Sequence, residues 1–202
     1  MPPAGHQALI AAARLEFAEQ GYVGASIRSI AQRAGVSLSA LYHYYSGKQA
    51  LLYAIVNEGM DAYLALAGKE LAAGGDDPAE RLAAVVTATV RFRCQYPEKS
   101  SVIFSAGRHL EPAAQDQYRG RQAEATQLFQ RPIQDGVDQR LFRTPYPDEA
   151  RRSVIAMCNA IADWYRSGGE LTEDDLVERY VALALTLVEY HPLAPRRARA
   201  GT

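Results

Sequence analysis

The sequence predicts an all-α protein, with three short N-terminal helices followed by a larger region of about six helices. Almost every segment carries apolar residues at helical spacing, and none shows the alternation typical of a half-buried strand. Glycine and proline clusters divide these segments, most clearly at residues 74–78 and 144–147. Residues 27–46 also have the pattern of a compact two-helix motif.

Composition excludes several classes of protein. The 202 residues are 48% hydrophobic and 22% charged with a net charge of −1, which is typical of a soluble globular chain. The sequence has no apolar run of the roughly 18 residues that a transmembrane helix needs, and its N-terminus lacks the pattern of a signal peptide. With only two cysteines, Cys94 and Cys158, we expect reduced thiols and a cytoplasmic location. Residues 1–56 carry a net charge of +2 and residues 57–202 of −3, so a polyanion would prefer the first quarter of the chain.

Four helices are predicted in the first third of the chain. Gly21 is a natural C-terminal cap for the first helix, and Ser37 is a good N-terminal cap for the third. The second helix should run from Ser26 to Ala34 and end at Gly35, the third from Ser37 to about Tyr45, and a long fourth from Lys48 to about Ala73.

The remaining helices are expected at residues 79–95, 98–108, 112–139, 148–167 and 173–190, each boundary being approximate. Pro132 should kink or break the helix at 112–139, because proline lacks a backbone donor and clashes with the preceding turn. Residues 192–202 hold three arginines and no apolar period, which predicts a disordered basic tail.

Residues 27–46 fit a helix-turn-helix, in which two short helices cross through a tight turn. Ile30, Ala34, Val36 and Leu41 supply its apolar contacts, and Gly35 lies at the turn, where a positive φ would strain other residues. With Leu41 at the centre of the buried face, Leu38 and Tyr45 fall on the same side of the third helix. The outward face then holds Ser39, Tyr42, His43 and Ser46, whose polar groups can bond to base edges and phosphates.

Residues 9–56 resemble the N-terminal domain of the tetracycline-repressor (TetR) family of bacterial transcription regulators. The resemblance rests on FAEQGY (17–22), SIRSIA (26–31), AGVS (34–37), ALYHYY (40–45) and Lys48 followed by a leucine pair. It implies a DNA-binding domain at residues 1–50 and a divergent helical domain at 51–191 that dimerises and binds a small effector.

The same resemblance indicates which residues contact double-stranded operator DNA. Ser26 stands where family members commonly have a threonine that reaches a phosphate, and Lys48 matches a further phosphate contact. The recognition helix corresponds to Ser37 through Tyr44, in which Leu38 either packs inside or touches a thymine methyl group. The predicted DNA contacts are Ser26, Arg28, Ser37, Leu38, Ser39, Ala40, Tyr42, His43, Tyr44 and Lys48.

The last two predicted helices, 148–167 and 173–190, are apolar over much of their circumference. A helix that is apolar on two sides must be buried on two sides, either in a thick single-chain core or against a second copy of the chain. The family resemblance favours a homodimer through these helices.

Residues 160–172 (AIADWYRSGGELT) also resemble a TetR subgroup associated with fatty-acid or steroid breakdown, whose effectors are acyl-coenzyme A (acyl-CoA) thioesters. Aromatic residues of the second domain could line a pocket, and arginines could meet anionic groups there, although ordinary core packing explains any single aromatic equally well. The predicted effector contacts are Phe92, Arg93, Phe104, Arg108, Tyr118, Phe129 and Trp164, with Arg119 and Arg121 as further candidates.

No motif for a metal, a nucleotide or a catalytic nucleophile is present, and the four histidines are far apart in the sequence. We therefore expect no cofactor and no enzymatic activity, so a small helical enzyme is disfavoured. Two alternatives remain open: a repressor that senses a hydrophobic drug or cation, and a helical module that no longer binds DNA.

Overall fold

The computed structural model describes residues 4–192, with every side chain in that range except those at positions 4 and 104–106. In chain order its helices are α1 (Ala4–Gly24), α2 (Ile27–Ala34), α3 (Leu38–Tyr44), α4 (Lys48–Ala73), α5 (Pro78–Gln95), α6 (Pro97–Ala106), α7 (Pro112–Asp138), α8 (Pro147–Trp164) and α9 (Glu173–Leu187), with a 3₁₀ turn at Gly107–His109. Between residues 4 and 192 the chain forms no strand, only an isolated bridge between Phe142 and Tyr190. The predicted all-α class is confirmed.

Local capping fixes the ends of the motif helices. The Ser26 hydroxyl accepts the N–H of Ser29 at 3.0 Å, and Gly35 ends α2 in the left-handed region with φ of 66°. The Ser37 hydroxyl accepts the N–H of Ala40 at 3.1 Å and so starts α3. The predicted break at Gly21 is present, although the chain resumes helical geometry after it.

Three C-terminal helices end earlier than predicted. The range 98–108 is split between α6 and the 3₁₀ turn, and α8 stops at Trp164 because Tyr165 takes an extended conformation. Helix α9 stops at Leu187 because the following residues pair with the segment after α7, where the N–H of His191 donates to the carbonyl of Leu141 at 2.8 Å.

Of the kink or break expected at Pro132, the break is absent. The helix continues through it to Asp138, with Pro132 itself buried beside Phe129 and Ile133. Burial of two large side chains stabilises by about 1.5–3 kcal/mol each, which offsets the roughly 3 kcal/mol that an internal proline costs. The predicted tail lies, apart from Pro192, outside the described residues.

Helix α5 lies at the centre of the fold and joins its two apolar cores. Its Phe92 packs into the core formed mainly by α1–α4 and α6, whereas Leu82, Val85 and Val90 pack with α7–α9. Helix α5 therefore contributes side chains to both cores.

Candidate nucleic-acid interface and ligand cavity

Helix α3 is anchored by one side and presents the other to solvent. Leu41 is fully buried, and Tyr45, which follows the helix, is also buried. The side chains of Ser39, Tyr42 and His43 are exposed, Tyr42 by 56%. The predicted outward face is therefore present, and it offers a hydroxyl, a phenol and an imidazole to a major groove.

The helical wheel was wrong for Leu38. This side chain is 37% exposed, because it lies in the first turn of a seven-residue helix, where no other element covers it. Its exposure leaves it accessible for an apolar contact. Tyr44 differs from the outward residues, since it is half-buried with its ring 5.8 Å from that of His6 in α1. Ala40 is also half-buried.

The positive charges of the first domain are mostly used within the protein. Arg33 donates to both carboxylate oxygens of Glu19, at 2.9 and 2.6 Å, and its Nε lies 2.9 Å from the buried Glu16. The hydrogen bonds from Arg33 hold the pKa of Glu19 below its usual value. In contrast, Arg28 is exposed and takes part in none of the ion pairs found within residues 4–192.

Lys48 joins the first domain to α4. Its ammonium donates to the carbonyls of Tyr22 and Ala25, both at 2.8 Å, and lies 4.4 Å from the centre of the Tyr22 ring. Two of its three N–H donors are thus committed to backbone carbonyls. Sequence reasoning proposed Lys48 as a phosphate contact but did not identify this internal role.

A second set of contacts connects the first domain to the 3₁₀ turn. The Gln49 amide donates to the carbonyl of His109 and to the hydroxyl of Tyr22, each at 2.7 Å. The rings of Tyr22 and His109 stack at 5.2 Å. The turn lies close against α7. A Cβ at Gly107 would be only 2.5 Å from the ring of Tyr118, so a larger residue would not fit at this position.

The first cavity, of about 330 Å³, lies between α4, α5, α6, α7 and α8. Its walls combine apolar and polar side chains, namely Met60, Tyr63, Thr89, Phe92, Arg93, Ile103, Gln122, Ala125, Thr126, Phe129, Ile155 and Asn159. A largely apolar cavity with a few convergent polar groups is typical of a small-molecule site.

Arg93 gives this first cavity a cationic wall. The residue is 5% exposed, and its guanidinium donates to the Asn159 amide oxygen at 2.9 Å. Burial lowers the pKa of Arg93 to about 10, because desolvation disfavours the charged form. Across the cavity the hydroxyls of Tyr63 and Thr89 are hydrogen-bonded at 3.1 Å. Since the Thr89 hydroxyl itself donates to the Val85 carbonyl at 2.8 Å, the guanidinium of Arg93 and the amide of Asn159 are the donors that an oxygen-bearing ligand group could meet in this wall.

The structure places the predicted effector residues unequally. Phe92, Arg93 and Phe129 line the first cavity. Tyr118 is buried beside it, where its hydroxyl donates to the Ile103 carbonyl at 2.6 Å and accepts from Gln122 at 2.8 Å. The other candidates do not line this cavity. Trp164 is 46% exposed, and Arg108 is also exposed. Arg119 pairs with Asp116 and Arg121 pairs with Asp61, while the Phe104 side chain lies outside the described part of the structure.

Sequence reasoning missed Thr89 and Asn159. Both are polar residues within predominantly apolar helical faces, α5 and α8, and burial of such groups requires a hydrogen-bond partner. That interruption of an apolar face is the signal that could have identified them.

Helices α8 and α9 leave an apolar surface uncovered. Trp164, Leu183 and Leu187 are 46%, 49% and 38% exposed, and Ala160 and Ala156 lie exposed one and two turns before Trp164. Isolated exposed apolar residues are ordinary, but this set follows one face of two adjacent helices.

The described residues contain neither a metal site nor a membrane span. No group of three or more His, Cys, Asp or Glu side chains between residues 4 and 192 is placed to hold an ion. No helix in the same range combines the length and the apolar character needed to cross a bilayer.

Comparison with known proteins gives matches over both halves of the chain. Residues 9–55 match the family model described as bacterial regulatory proteins, tetR family, and residues 75–188 match the tetracyclin repressor-like, C-terminal domain. The transcriptional repressor KstR2 of Rhodococcus jostii is 27% identical over 173 residues, which cover 84% of this chain and 83% of the relative. KstR2 of Mycobacterium tuberculosis is 23% identical, with 88% and 89% covered.

Solved structures of other proteins superpose on nearly the whole of this chain. A tetR-family regulatory protein from Rhodococcus RHA1 superposes with a TM-score of 0.83 at 27% identity, covering 95% of this chain and 100% of that one. AibR in complex with isovaleryl coenzyme A and operator DNA gives a TM-score of 0.81 at 23% identity, covering 94% and 100%. The fold is therefore shared from the first helix to the last.

Proposed function

Because this chain belongs to the tetR family of bacterial regulatory proteins, which are transcription regulators and not enzymes, we propose that it is a ligand-responsive repressor acting as a homodimer in the cytoplasm. Each subunit places α3 in a major groove of a roughly palindromic operator. An acyl-CoA thioester bound in the first cavity causes release of the DNA.

The proposal that the protein binds DNA rests on helix α3, which has one buried side and one exposed side. Leu41 fixes the helix in the core while Tyr42 and its exposed neighbours stand clear of the protein. Base edges are read by donors and acceptors on a helix that enters the major groove in this way. Arg28, which is exposed and makes no ion pair among the described residues, is available to a phosphate.

The uncovered face of α8 and α9 supports the homodimer. An isologous interface uses the same surface on both subunits, so the patch around Trp164, Leu183 and Leu187 would be covered by its own copy. Two reading helices related by a two-fold axis require half-sites about one helical turn or somewhat more apart.

Two kinds of support favour an acyl-CoA thioester as the effector. Arg93 and Asn159 supply donors for a carbonyl or carboxylate, and the apolar side chains around them suit an acyl group. Among the similar proteins, KstR2 is named a ketosteroid regulator and AibR was solved with isovaleryl coenzyme A. Buried Arg93 disfavours a hydrophobic cation in the same cavity, because like charges would meet there.

The test is a titration of operator DNA in which binding is followed by fluorescence anisotropy. The DNA flanking the gene and a random-sequence library both serve as starting material. Fatty acyl-CoAs, steroid CoA thioesters and the matching free acids are then screened for a rise in melting temperature and for release of DNA. A ligand at 100 times its dissociation constant adds about 2.7 kcal/mol, so the shift is easily measured.

Arg93→Met should abolish the response, whereas the exposed Arg119→Met should not change it. If no DNA is enriched from the library, the chain is a helical module without DNA-binding function. If a hydrophobic cation stabilises the protein and thioesters do not, the drug-sensing alternative is correct.

A further inference from the structure

The C-terminal end of α3 packs against the first turns of α1 through an aromatic cluster of four side chains, His6, His43, Tyr44 and Tyr45. The imidazole of His6 stacks on the ring of Tyr45, with 5.5 Å between the centroids and an interplanar angle of 28°. The same imidazole meets the ring of Tyr44 edge-on at 5.8 Å, and Tyr44 in turn meets His43 edge-on at 5.2 Å. The aromatic cluster therefore runs from α1 to the exposed face of α3, and the proposed function gives His6 no part.

Tyr45 is the member of the cluster that fixes the end of α3. Its side chain is 9% exposed, and its hydroxyl lies 2.7 Å from Nε2 of His6. A buried phenol requires a hydrogen-bond partner, and here either the hydroxyl donates to Nε2 or an Nε2–H donates to the hydroxyl. Burial raises the pKa of Tyr45, and the carboxylate of Glu58 raises it further, so the hydroxyl keeps its proton. The bond to α1 thus holds the residue at which α3 ends.

Tyr44 packs against α1 through a neighbouring residue. A Cβ at Gly5 would lie 3.8 Å from Cε2 and 3.9 Å from the hydroxyl oxygen of Tyr44, which is ordinary van der Waals contact. With Gly5 against one part of its ring and His6 against another, Tyr44 is half-buried although it belongs to the reading helix. The first turns of α1 therefore set the direction of the Tyr44 ring, against which His43 packs.

Helix α3 depends on contacts at its ends because little else holds it. It is seven residues long, and Leu41 is the one residue within it that is buried. An isolated helix of this length is not stable in water, so the elements around it set its orientation. A tilt of about 10° around Leu41 would move an end of the helix, roughly 5 Å away, by about 0.9 Å. Hydrogen bonds to base edges tolerate a range of only about 0.5 Å, whereas attraction to phosphates is far less sensitive to such a shift.

We propose that His6 is a positioning residue for sequence recognition. Through its hydrogen bond with Tyr45 and its contact with Tyr44, it fixes the C-terminal end of α3 against α1, and it touches no base itself. Without His6 the Tyr45 hydroxyl would turn toward water and draw the end of α3 with it, which weakens binding to the operator but not to unrelated DNA. This inference rests on the proposed function and extends sequence recognition to a residue outside the helix-turn-helix.

The experiment compares variants on two duplexes of equal length. One is the sequence that the wild-type protein enriches from the random-sequence library, and the other is the same sequence scrambled. Affinities are measured by fluorescence anisotropy at one salt concentration, under conditions where circular dichroism shows that every variant is folded. Hydrogen–deuterium exchange on the free protein reports separately on the N–H of Tyr45, which donates to the Leu41 carbonyl at 2.9 Å.

The first variant removes the partner of the Tyr45 hydroxyl. His6→Phe keeps a ring against both tyrosines but leaves the hydroxyl buried without a hydrogen bond, which is costly. We expect operator affinity to fall about tenfold while affinity for the scrambled duplex stays within about twofold of wild type. Exchange at the Tyr45 amide should rise about fivefold or more, since the end of α3 opens more often.

The second variant removes the hydroxyl as well. The double variant His6→Phe, Tyr45→Phe brings two apolar rings together and leaves no unpaired group. Replacing both partners of a buried hydrogen bond by apolar groups of similar shape can be nearly neutral. We therefore expect operator affinity to return to within about threefold of wild type, and exchange at the end of α3 to return to near its original rate.

Two controls separate this role from a general loss of stability. Val85→Ala removes methyl groups from the core that α5 forms with α7–α9, and it should lower the melting temperature at least as much as His6→Phe does. Operator affinity and exchange at Tyr45 should nevertheless stay unchanged in Val85→Ala. Gln20→Phe places a ring at an exposed position of α1 and should change none of the readings.

A direct phosphate contact by His6 would give a different pattern. His6→Phe would then weaken the operator and the scrambled duplex equally, the second substitution would not restore binding, and the inference would be wrong. Equal operator affinity and equal exchange in wild type and His6→Phe would also overturn it, while the proposed function would stand. If the wild-type protein enriches no duplex, the proposed function fails, and the recognition role of His6 fails with it.

Discussion

Replacing Lys48 by methionine distinguishes an internal clamp from a DNA contact. In the structure the ammonium donates to the carbonyls of Tyr22 and Ala25 and lies over the Tyr22 ring. Methionine keeps much of the apolar stem but cannot make these interactions. We therefore expect Lys48→Met to destabilise the folded protein, with or without DNA.

The magnitude follows from the interactions that the ammonium makes. A hydrogen bond to a charged group contributes about 1.5–3 kcal/mol, and a partly exposed cation–π interaction about 0.5–1 kcal/mol. Since Lys48 is only half-buried, the lower ends of these ranges apply, and the two hydrogen bonds and the cation–π contact together contribute about 3.5 kcal/mol. For a chain of this length that corresponds to a fall in melting temperature of roughly 7–14 °C.

The assay is urea and thermal unfolding followed by circular dichroism, beside operator titrations at several salt concentrations. Lys69→Met, an exposed lysine on the same helix α4, is the matched control and should leave the free energy of unfolding within about 0.5 kcal/mol of wild type. If Lys48 instead served a phosphate, Lys48→Met would leave stability unchanged and reduce the salt slope of operator binding by about one. That result would refute the clamp.

Three further predictions concern single side chains. Tyr42→Ala should weaken operator binding by about 1–3 kcal/mol with little change in melting temperature, because the side chain is 56% exposed; equal affinity in an anisotropy titration would contradict the docking of α3. Leu183→Asp should convert the dimer to a monomer of 22.1 kDa in light scattering, whereas a monomeric wild-type protein at micromolar concentration would disprove the interface. Burial raises the pKa of Cys158 to about 12, so the native state keeps a proton that the unfolded thiol releases above about pH 9, and stability falls as pH rises. Between pH 9 and 11 the free energy of unfolding of Cys158→Ala should therefore fall less steeply than that of wild type, by up to about 1.4 kcal/mol per pH unit, and parallel curves would disprove the assignment.

The parts of the fold that follow from short-range chemistry were predictable. Ser37 and Gly35 act on backbone groups within a few residues, so the limits of α2 and α3 could be read from the sequence. Leu38 shows where that approach fails. A helical wheel assigns a face to every residue, but it does not show whether a neighbouring helix covers that face in the first turn of a short helix.

The functional residues depend on contacts between distant segments. Nothing near Lys48 in the sequence indicates that its ammonium turns back to carbonyls more than 20 residues earlier. The first cavity illustrates the same difficulty. Trp164 was selected as an aromatic residue and lies at the surface, whereas Asn159, less than two turns earlier on α8, accepts a hydrogen bond from Arg93. Which face of a helix meets a cavity is decided by tertiary packing.

Most positive charges of the first domain are paired within the protein, and this pairing limits how tightly the protein can bind DNA that lacks the operator. Arg33 pairs with two glutamates and Lys48 donates to two carbonyls, which leaves Arg28 as the arginine of residues 26–48 that is exposed and makes no ion pair among the described residues. Each phosphate contact contributes about −0.9 to the slope of log affinity against log salt, so one such contact per subunit gives a dimer a slope of roughly −2 on non-operator DNA. We expect weak, shallowly salt-dependent attachment to random sequence, measurable by titration against a non-operator duplex, and a slope steeper than about −4 would contradict it. A regulator that binds random sequence this weakly would spend little time on the many competing sites of a chromosome.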